Sequence, residues 1–499
     1  MAGAAPSITV VVPTIGRPSL DALLDALATG RGARPAELVI VDDRPAGAPL
    51  HVERPGLPPV RVLRTGGGGP ARARNLGWRA ARTPWVAFLD DDVVPDADWY
   101  ERLEDDLADL APDVAGSQGQ VHVPLPADRR PTDWERGTAG LATSSWITAD
   151  LAYRRDALAA VGGFDERFPR AFREDSDLAL RVMDTGARLV RGQRRITHPV
   201  RPVDRWISLR TQAGNADDVL MRRLHGPDWR DRADAPLGRR PQHLAVTAAG
   251  VAALTLALAR RPRTAALAAL GWLAGTAEFA WARIAPGPRD RAEVTTMLAT
   301  SAAIPPLASW HWLRGVVGHR RVRPWRGLPD AVLFDRDGTL VHDFPYNGDP
   351  DWVRPVDGAK DALDRLRARG VKVGVVSNQS GVARGLITVE QVEACTARLD
   401  ELLGPFDTIQ YCPHGPDDGC ACRKPAPGMV KTACAELDVD PARVVVIGDI
   451  GADVAAAEAA GATGILVPTP VTRRTEVEAA HRTAPDVTAA VSAVISGDW

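Results

Sequence analysis

The sequence predicts an α/β protein of two doubly wound domains joined by an apolar helical region. Three observations carry this. Short apolar runs alternate with helical stretches from residue 7 to about 200, the alternation restarts at 331 with different motifs, and the residues between are rich in Ala, Leu and Trp. A length of 499 residues fits two or three domains. The expected limits are 1–235, 236–325 and 326–499.

In the first domain, strands are expected at ITVVVPT, ELVIVDD, VRVLRT and PWVAFLDDD, with helical stretches such as LDALLDALA between them. The second repeats the scheme with AVLFDRDG, VKVGVVSN, RVVVIGD and GILVPT, separated by AKDALDRLRARG, VEQVEACTARLDELL and ADVAAAEAAG. The middle region holds apolar runs at 243–259, 264–285 and 294–317, punctuated by arginine clusters at 239–240, 260–263, 289–291 and 320–323. A bilayer crossing needs ~20 apolar residues. The first run is short, the second carries Glu278 and the third contains Pro305–Pro306. Arginines at every connection also disagree with a simple positive-inside topology. Two readings stay open, a soluble helical bundle and membrane association. Crossings would have to be even in number, because both flanking domains carry cytosolic-type chemistry. Helices lying in the interface, anchored by Trp272, Trp281, Trp310 and Trp312, meet the same condition.

Charge and composition exclude several classes. With 61 Lys+Arg against 63 Asp+Glu, the net charge of -2 excludes a polybasic nucleic-acid binder, so no nucleic-acid partner is expected. Hydrophobic residues, at 45%, suffice for a core in each domain. Lysine occurs only at 360, 372, 424 and 431. All five cysteines fall between 395 and 434, which argues for a local metal site over a disulfide scaffold. The opening MAGAAPSITVVVPT lacks the basic and apolar regions of a signal peptide, so the expected location is cytoplasmic, including the cytoplasmic face of a membrane.

The densest chemical signal is Asp335-Arg336-Asp337-Gly338-Thr339 at a strand end. Two carboxylates two residues apart leave the strand on one side, one placed to attack phosphorus and the other to protonate the leaving oxygen. Strand ends are where open α/β sheets place ligands. Further along stand Ser377 in VVSNQSG, Lys424 in CRKPAPG, and Asp449 with Asp453 in IGDIGAD. Cys412, His414, Cys420 and Cys422 supply three thiolates and an imidazole within eleven residues, a closed set suited to structural zinc. Cys395 and Cys434 lie in helical stretches and read as core residues.

Four motifs in this order resemble the haloacid dehalogenase superfamily of phosphatases. With the zinc loop, the resemblance narrows over about 330–475 to the branch holding D-glycero-D-manno-heptose 1,7-bisphosphate 7-phosphatase and histidinol-phosphate phosphatase. It implies Asp335 as a nucleophile forming an aspartyl-phosphate and Asp337 as general acid, then base. It implies Ser377, Asn378, Gln379 and Lys424 as the hold on the phosphoryl group, and Mg²⁺ on Asp335, the carbonyl of Asp337, and Asp449. Only 42 positions separate Asp335 from Ser377 and 47 separate Ser377 from Lys424, too few for a large cap, so loops must choose the substrate, with Asp343 and Arg423 as candidates. Ile450 departs from the heptose enzymes, which tend to carry lysine after the aspartate.

The first domain carries Asp42-Asp43 and Asp90-Asp91-Asp92 at strand ends, and a D-x-D triplet suits a divalent cation held against a diphosphate. Together with VVVPTIGRPSL, GGGGPARARN, GGFDERF and REDSDLALR, these residues resemble family-2 glycosyltransferases of the GT-A fold over about 7–230. The resemblance implies a nucleotide-sugar donor, Asp43 on the base or ribose, Asp90 and Asp92 on Mg²⁺ or Mn²⁺, and Asp175 as the base at the acceptor hydroxyl. His198 is a further candidate metal ligand, although a lone histidine is as often structural. Arg72 and Arg74 either face phosphate or form a solvated helix start. The combined expectation is a bifunctional enzyme, a phosphatase acting on a sugar bisphosphate fused to a glycosyltransferase. The alternatives are a phosphatase for histidinol phosphate or another small phosphomonoester, and a chain in which one domain only binds or scaffolds.

Overall fold

The computed structural model describes residues 6–320, 322 and 324–499, so the start of the N-terminal reading and two arginines of the 320–323 cluster lie outside the described residues. The chain divides into two compact units, Met1–Pro324 and Trp325–Trp499.

The first unit holds an eight-stranded sheet of β1 (Ile8–Thr14), β2 (Glu37–Asp42), β3 (Val60–Arg64), β4 (Trp85–Leu89), β5 (Val94–Pro95), β6 (Val114–His122), β7 (Asp150–Arg154) and β8 (Arg188–Thr197). Their spatial order is β3-β2-β1-β4-β7-β6-β8-β5. β1 pairs in parallel with β2 and β4, whereas β7 runs antiparallel to β4 and β6. Alternation along the strands feeds two cores. Val10, Val12, Leu38 and Ile40 pack on one face, and Val11, Val39, Val41 and Phe88 on the other. Burial on both faces explains why these strands read as unbroken apolar runs. The C-terminal ends of β1, β2 and β4, where the order reverses, bring Thr14, Asp43 and Asp90–Asp92 to one edge.

The middle region forms three helices, Arg240–Leu258, Pro262–Ile284 and Arg291–Gly318, and belongs to the first unit. The third helix continues through Pro305–Pro306, which the sequence marks as an interruption. This helix docks on the helix Gly214–His225 so closely that a Cβ on Gly315 would lie 2.9 Å from the Ala216 Cα. Its other end is tied by Glu293, which accepts from the Asp133 amide at 2.8 Å. Arg283 of the second helix reaches Asp133 at 2.7 Å and donates to Thr300 of the third.

The second unit is a five-stranded parallel sheet of β9 (Ala331–Phe334), β10 (Lys372–Asn378), β11 (Thr408–Cys412), β12 (Val444–Gly448) and β13 (Thr463–Leu466), in the order β11-β10-β9-β12-β13. Val332, Phe334, Val375 and Ile447 enter one core, and Ala331, Leu333, Val376 and Val446 the other. β9 lies between β10 and β12, so the residues leaving these three adjacent strands share one end of the sheet.

Candidate active sites

In the second unit, Asp335 follows β9, Ser377 ends β10 and Asp449 follows β12. The Asp335 amide donates to the Ile447 carbonyl at 2.8 Å, which fixes the first turn beyond the sheet. Lys424, 3% exposed, arrives on the loop after β11 and forms an ion pair with Asp335. Its Nζ also donates to Val376 O at 2.7 Å and meets Asp453 Oδ1 at 2.5 Å. Asn378 clamps this lysine's backbone in both directions, accepting from its amide and donating to its carbonyl, each at 3.1 Å. Asp453 spends its other oxygen on the Ile450 amide at 3.1 Å, opening the helix Gly451–Ala460. It is therefore the second anion under Lys424, a role its sequence position left unassigned.

Burial pushes the Asp335 pKa up, with Lys424 opposing and Asp453 and Asp337 adding to the rise. Burial likewise raises Asp449 to about 6, with the Asp453 charge assisting. Asp449 accepts from Thr469 Oγ1 at 3.3 Å, and its backbone carbonyl accepts from Thr472 at 2.6 Å, contacts that the motifs did not flag. Gly338, at φ +85°, brings the turn against this carboxylate, and a Cβ there would lie 2.4 Å from Asp449 Oδ2. Asp335 and Asp453 thus flank one lysine, with Asp337 and Asp449 beside them, and Asp335, Asp449 and the Asp337 carbonyl are oxygen donors of the kind a divalent cation takes. Asp337 accepts from Gln379 Nε2 at 2.9 Å and from Arg336, while Gln379 also donates to Ser377 at 2.8 Å. Asp343 is exposed, with its pKa raised by partial burial and the Asp337 charge. Arg423 donates to the His414 carbonyl at 3.2 Å.

The Cys412, His414, Cys420 and Cys422 ligand atoms all lie within 4.8 Å of one another, the only such group of three or more His, Cys, Asp or Glu among the described residues. Sulfur–sulfur separations are 3.3 to 3.7 Å, and Cys412 and Cys422 stand 3.5 and 3.3 Å from His414 Nδ1. A tetrahedron with Zn–S bonds of about 2.3 Å has edges of about 3.8 Å, so the quartet fits zinc. Cys395 and Cys434 are buried core residues, as expected.

In the first unit, a cleft of about 570 Å³ is lined by Thr14, Arg17, Asp43, Asp90–Asp92, His198 and Arg201 among others. Asp91 accepts from Thr14 at 2.6 Å and from Arg17 at 2.7 Å. Asp92 is met at longer range, by His198 Nε2 at 3.5 Å, Arg201 at 3.6 Å and Arg17 at 3.7 Å. Burial and the Asp90 charge raise its pKa, with His198 opposing. His198 Nδ1 faces its neighbour's carbonyl, Pro199 O, at 3.2 Å, which leaves Nε2 for the cleft. Asp92 and His198 Nε2 face the cleft together, two groups of a kind that can hold a divalent cation.

Three of the sequence candidates have partners here that the sequence did not show. Asp43 accepts from Thr65 and from the amides of Gly68 and Gly69 at 2.7 and 2.9 Å, so it folds the glycine loop that walls the cleft. Its neighbour Asp42 is clamped by Arg44 and held down to about 2. Arg74 is neither a solvated helix start nor a free cation, because it bridges Asp90 and Glu174, each at 2.8 Å, and is 2% exposed. Burial and the adjacent Asp175 raise the Glu174 pKa. Asp175 accepts from the Ser176 amide at 2.7 Å, at the start of the helix Glu174–Asp184, and is not among the residues lining the cleft. A second cleft, of about 1090 Å³, shares Trp134, Gly137, Ala171 and Arg201 with the first and is walled opposite by Phe279, Met297 and Ile304.

Comparison with known proteins gives two families. The glycosyl transferase family 2 model matches residues 9–160, and the HAD-hydrolase-like model matches residues 421–493. The D-glycero-beta-D-manno-heptose-1,7-bisphosphate 7-phosphatase of Pseudomonas putida is 40% identical over 150 residues, 29% of this chain and 85% of that protein. The phosphatase of the same description from Yersinia pestis is 40% identical over 163 residues, covering 30% and 87%. The crystal structure of D,D-heptose 1,7-bisphosphate phosphatase from B. bronchiseptica, complexed with magnesium and phosphate, is 35% identical and covers 33% of this chain and 98% of that one, with a TM-score of 0.31.

Proposed function

We propose that this chain, which belongs to the heptose bisphosphate phosphatase family of HAD-like hydrolases and carries a glycosyl transferase family 2 domain ahead of it, removes the 7-phosphate of D-glycero-D-manno-heptose 1,7-bisphosphate and transfers a sugar from a nucleotide donor. The observation that carries the phosphatase reading is the Asp335–Lys424–Asp453 triad at the ends of β9 and β12, with Asp337 two residues from Asp335. An Asp335 oxygen attacks phosphorus, the bond from phosphorus to the sugar oxygen breaks, and Asp337 gives that oxygen its proton. A water then attacks the aspartyl-phosphate, Asp337 takes the water's proton, and Asp335 is regenerated as phosphate leaves. Lys424 and Ser377 hold the phosphoryl oxygens, Asn378 positions Lys424 through both of its side-chain hydrogen bonds, and Gln379 fixes the Asp337 carboxyl. Mg²⁺ would be held by Asp335, the Asp337 carbonyl and Asp449 and would supply the positive charge that lets a carboxylate approach a phosphate. Asp343 and Arg423 contribute to substrate choice from the rim. Zinc in the Cys/His quartet shapes the loop that carries Lys424.

Phosphate release by the full chain with Mg²⁺ tests the substrate. Heptose 1,7-bisphosphate should be hydrolysed in preference to histidinol phosphate, and the reverse preference removes the heptose assignment. A sugar bisphosphate is favoured because the relatives covered over more than four-fifths of their length carry that activity in their descriptions.

For the first domain, the reading places the donor diphosphate in the smaller cleft, on a Mg²⁺ or Mn²⁺ held by Asp92 and His198, with Asp90 oriented by Arg74. Asp43 reaches the nucleotide through the glycine loop it ties. The acceptor occupies the adjoining larger cleft, and Asp175, which lines neither cleft in this structure, would have to turn toward it to act as its base. Asp92→Ala should lower sugar transfer roughly 100-fold or more, while phosphate release by the same protein stays at the unmutated rate. Transfer that survives the substitution would remove Asp92 from the metal site, and an unmutated chain that transfers sugar from no nucleotide donor would make the domain a binding module. Membrane association through 243–317, at the cytoplasmic face, completes this reading.

A further inference from the structure

We propose that the helices Arg240–Leu258 and Pro262–Ile284 lie flat in the surface of an anionic bilayer and do not cross it. This builds on the membrane association proposed above and fixes its geometry. Both helices are long and apolar enough to cross, with mean hydropathies of 1.4 and 1.2, yet the most apolar stretch of the first is 0% buried and that of the second 17%. Leu254, Leu258, Leu267, Leu270, Leu273 and Trp281 are all more than half exposed. Between Thr264 and Ala282 the only charged residue is Glu278, and it is paired with Arg239. Soluble proteins rarely leave so large an apolar face to water.

The third helix decides the orientation. It touches the catalytic domain at its start, where Glu293 meets the Asp133 amide at 2.8 Å, and near its end, where Gly315 abuts Ala216. At 28 residues it extends about 42 Å, and Met297 and Ile304 line the larger cleft between those two points. The first two helices pack side by side on this one. Gly250 meets Trp272 and Gly275 meets Val246 across their contact, and Thr247 reaches Ser309 at 3.1 Å. The pair therefore runs alongside the domain. Turning it across a bilayer would draw Asp133, Arg136 and the helix Gly214–His225 to hydrocarbon depth, where charged and polar groups are costly.

Charge identifies the surface. Exposed arginines stand at both ends of the pair, Arg260, Arg261 and Arg263 at the turn and Arg289 and Arg291 opposite. In a crossing hairpin the three turn arginines would pass to the far side. Lying flat, both clusters meet the anionic headgroups of one leaflet while the leucines and Trp281 enter the acyl boundary.

Flotation of the full chain with phosphatidylcholine vesicles, with and without about one-third phosphatidylglycerol, tests this. The protein should float with the anionic vesicles, less with neutral ones, and less in high salt. Leu254→Glu/Leu267→Glu/Leu270→Glu should cut flotation at least tenfold while the thermal midpoint of the first unit, which reports the folding of the part that carries these helices, is unchanged. A protein that stays with the soluble fraction, or that forms a dimer by light scattering in place of floating, overturns the association. Arg261→Cys then reads the orientation, because an impermeant maleimide added outside should label it on bound protein. Protection until detergent is added overturns the in-plane arrangement and leaves the association standing.

Discussion

Asp335→Asn is expected to lower phosphate release by roughly four orders of magnitude or more, with zinc content and thermal midpoint held close to those of the unmutated protein. Asparagine has nearly the same shape but lacks the anionic oxygen that would attack phosphorus. The fold should tolerate the change because Lys424 keeps Asp453 at 2.5 Å and the Val376 carbonyl at 2.7 Å. Burial raises the Asp335 pKa and Lys424 opposes the rise, so the lysine favours the ionised nucleophile. Lys424→Met should therefore also abolish turnover, and for two reasons, the lost phosphoryl contact and a nucleophile left protonated in a buried site. Arginine at 424 is not a conservative choice in this chain, because the cavity holds a compact ammonium between two carboxylates. Phosphate release by Asp335→Asn within about tenfold of the unmutated rate would remove the covalent mechanism and point to direct attack by water.

The two acidic strand ends, the zinc loop and the two-domain plan were all legible in the sequence, because each depends on residues close together in the chain. Apolar runs of five to seven residues show the strands, and the turn after each shows the carboxylates. The missed features join distant segments. Arg74 and Glu174 are 100 residues apart and pair in the interior. Nothing local distinguishes Arg74 from Arg72, since both sit in PARARN at the start of one helix. Asp453 stands out in IGDIGAD without a role, and only the arrival of Lys424 from the loop after β11 makes it a counter-ion. Asp43 shows the opposite case, an acid whose position suggests ligand contact but whose oxygens accept from Thr65 and two amides of its own domain's loop. The third apolar run was legible as part of the helical region, but two prolines normally mark a break. Here it continues through them, with Pro305 buried and Ser309 donating to the Pro305 carbonyl at 2.8 Å.

Removing zinc should cost the phosphatase on the order of 100-fold, although no zinc ligand touches substrate. Between β11 and the helix Gly428–Leu437 the chain forms only turns and bends, and Lys424 stands two residues after Cys422. A few hydrogen bonds hold this loop, among them Gln379 N to Cys412 O at 2.7 Å, Ala383 N to Pro413 O at 3.1 Å and Gly428 N to Ala421 O at 3.0 Å. Cys412 belongs to the buried core and Asn378 holds the lysine's backbone, and four metal bonds would add to these constraints on where the lysine enters. Cys412, whose thiol burial pushes up to about 12, must lose its proton to bind, which makes loading release protons and weaken as pH falls. Cys412→Ser, or extended chelation, should leave less than one zinc per chain and lower the thermal midpoint of the second unit. A displacement of Lys424 by about 1 Å is enough for a loss on the order of 100-fold. The glycosyltransferase should be unaffected, because its cleft lies in the first unit and uses none of these residues. The decisive measurement is phosphate release against zinc content across a titration. Proportional loss that readded zinc restores, with Mg²⁺ constant, marks zinc as the support of the lysine loop, and full activity in zinc-free protein would show that the loop holds its shape without the metal.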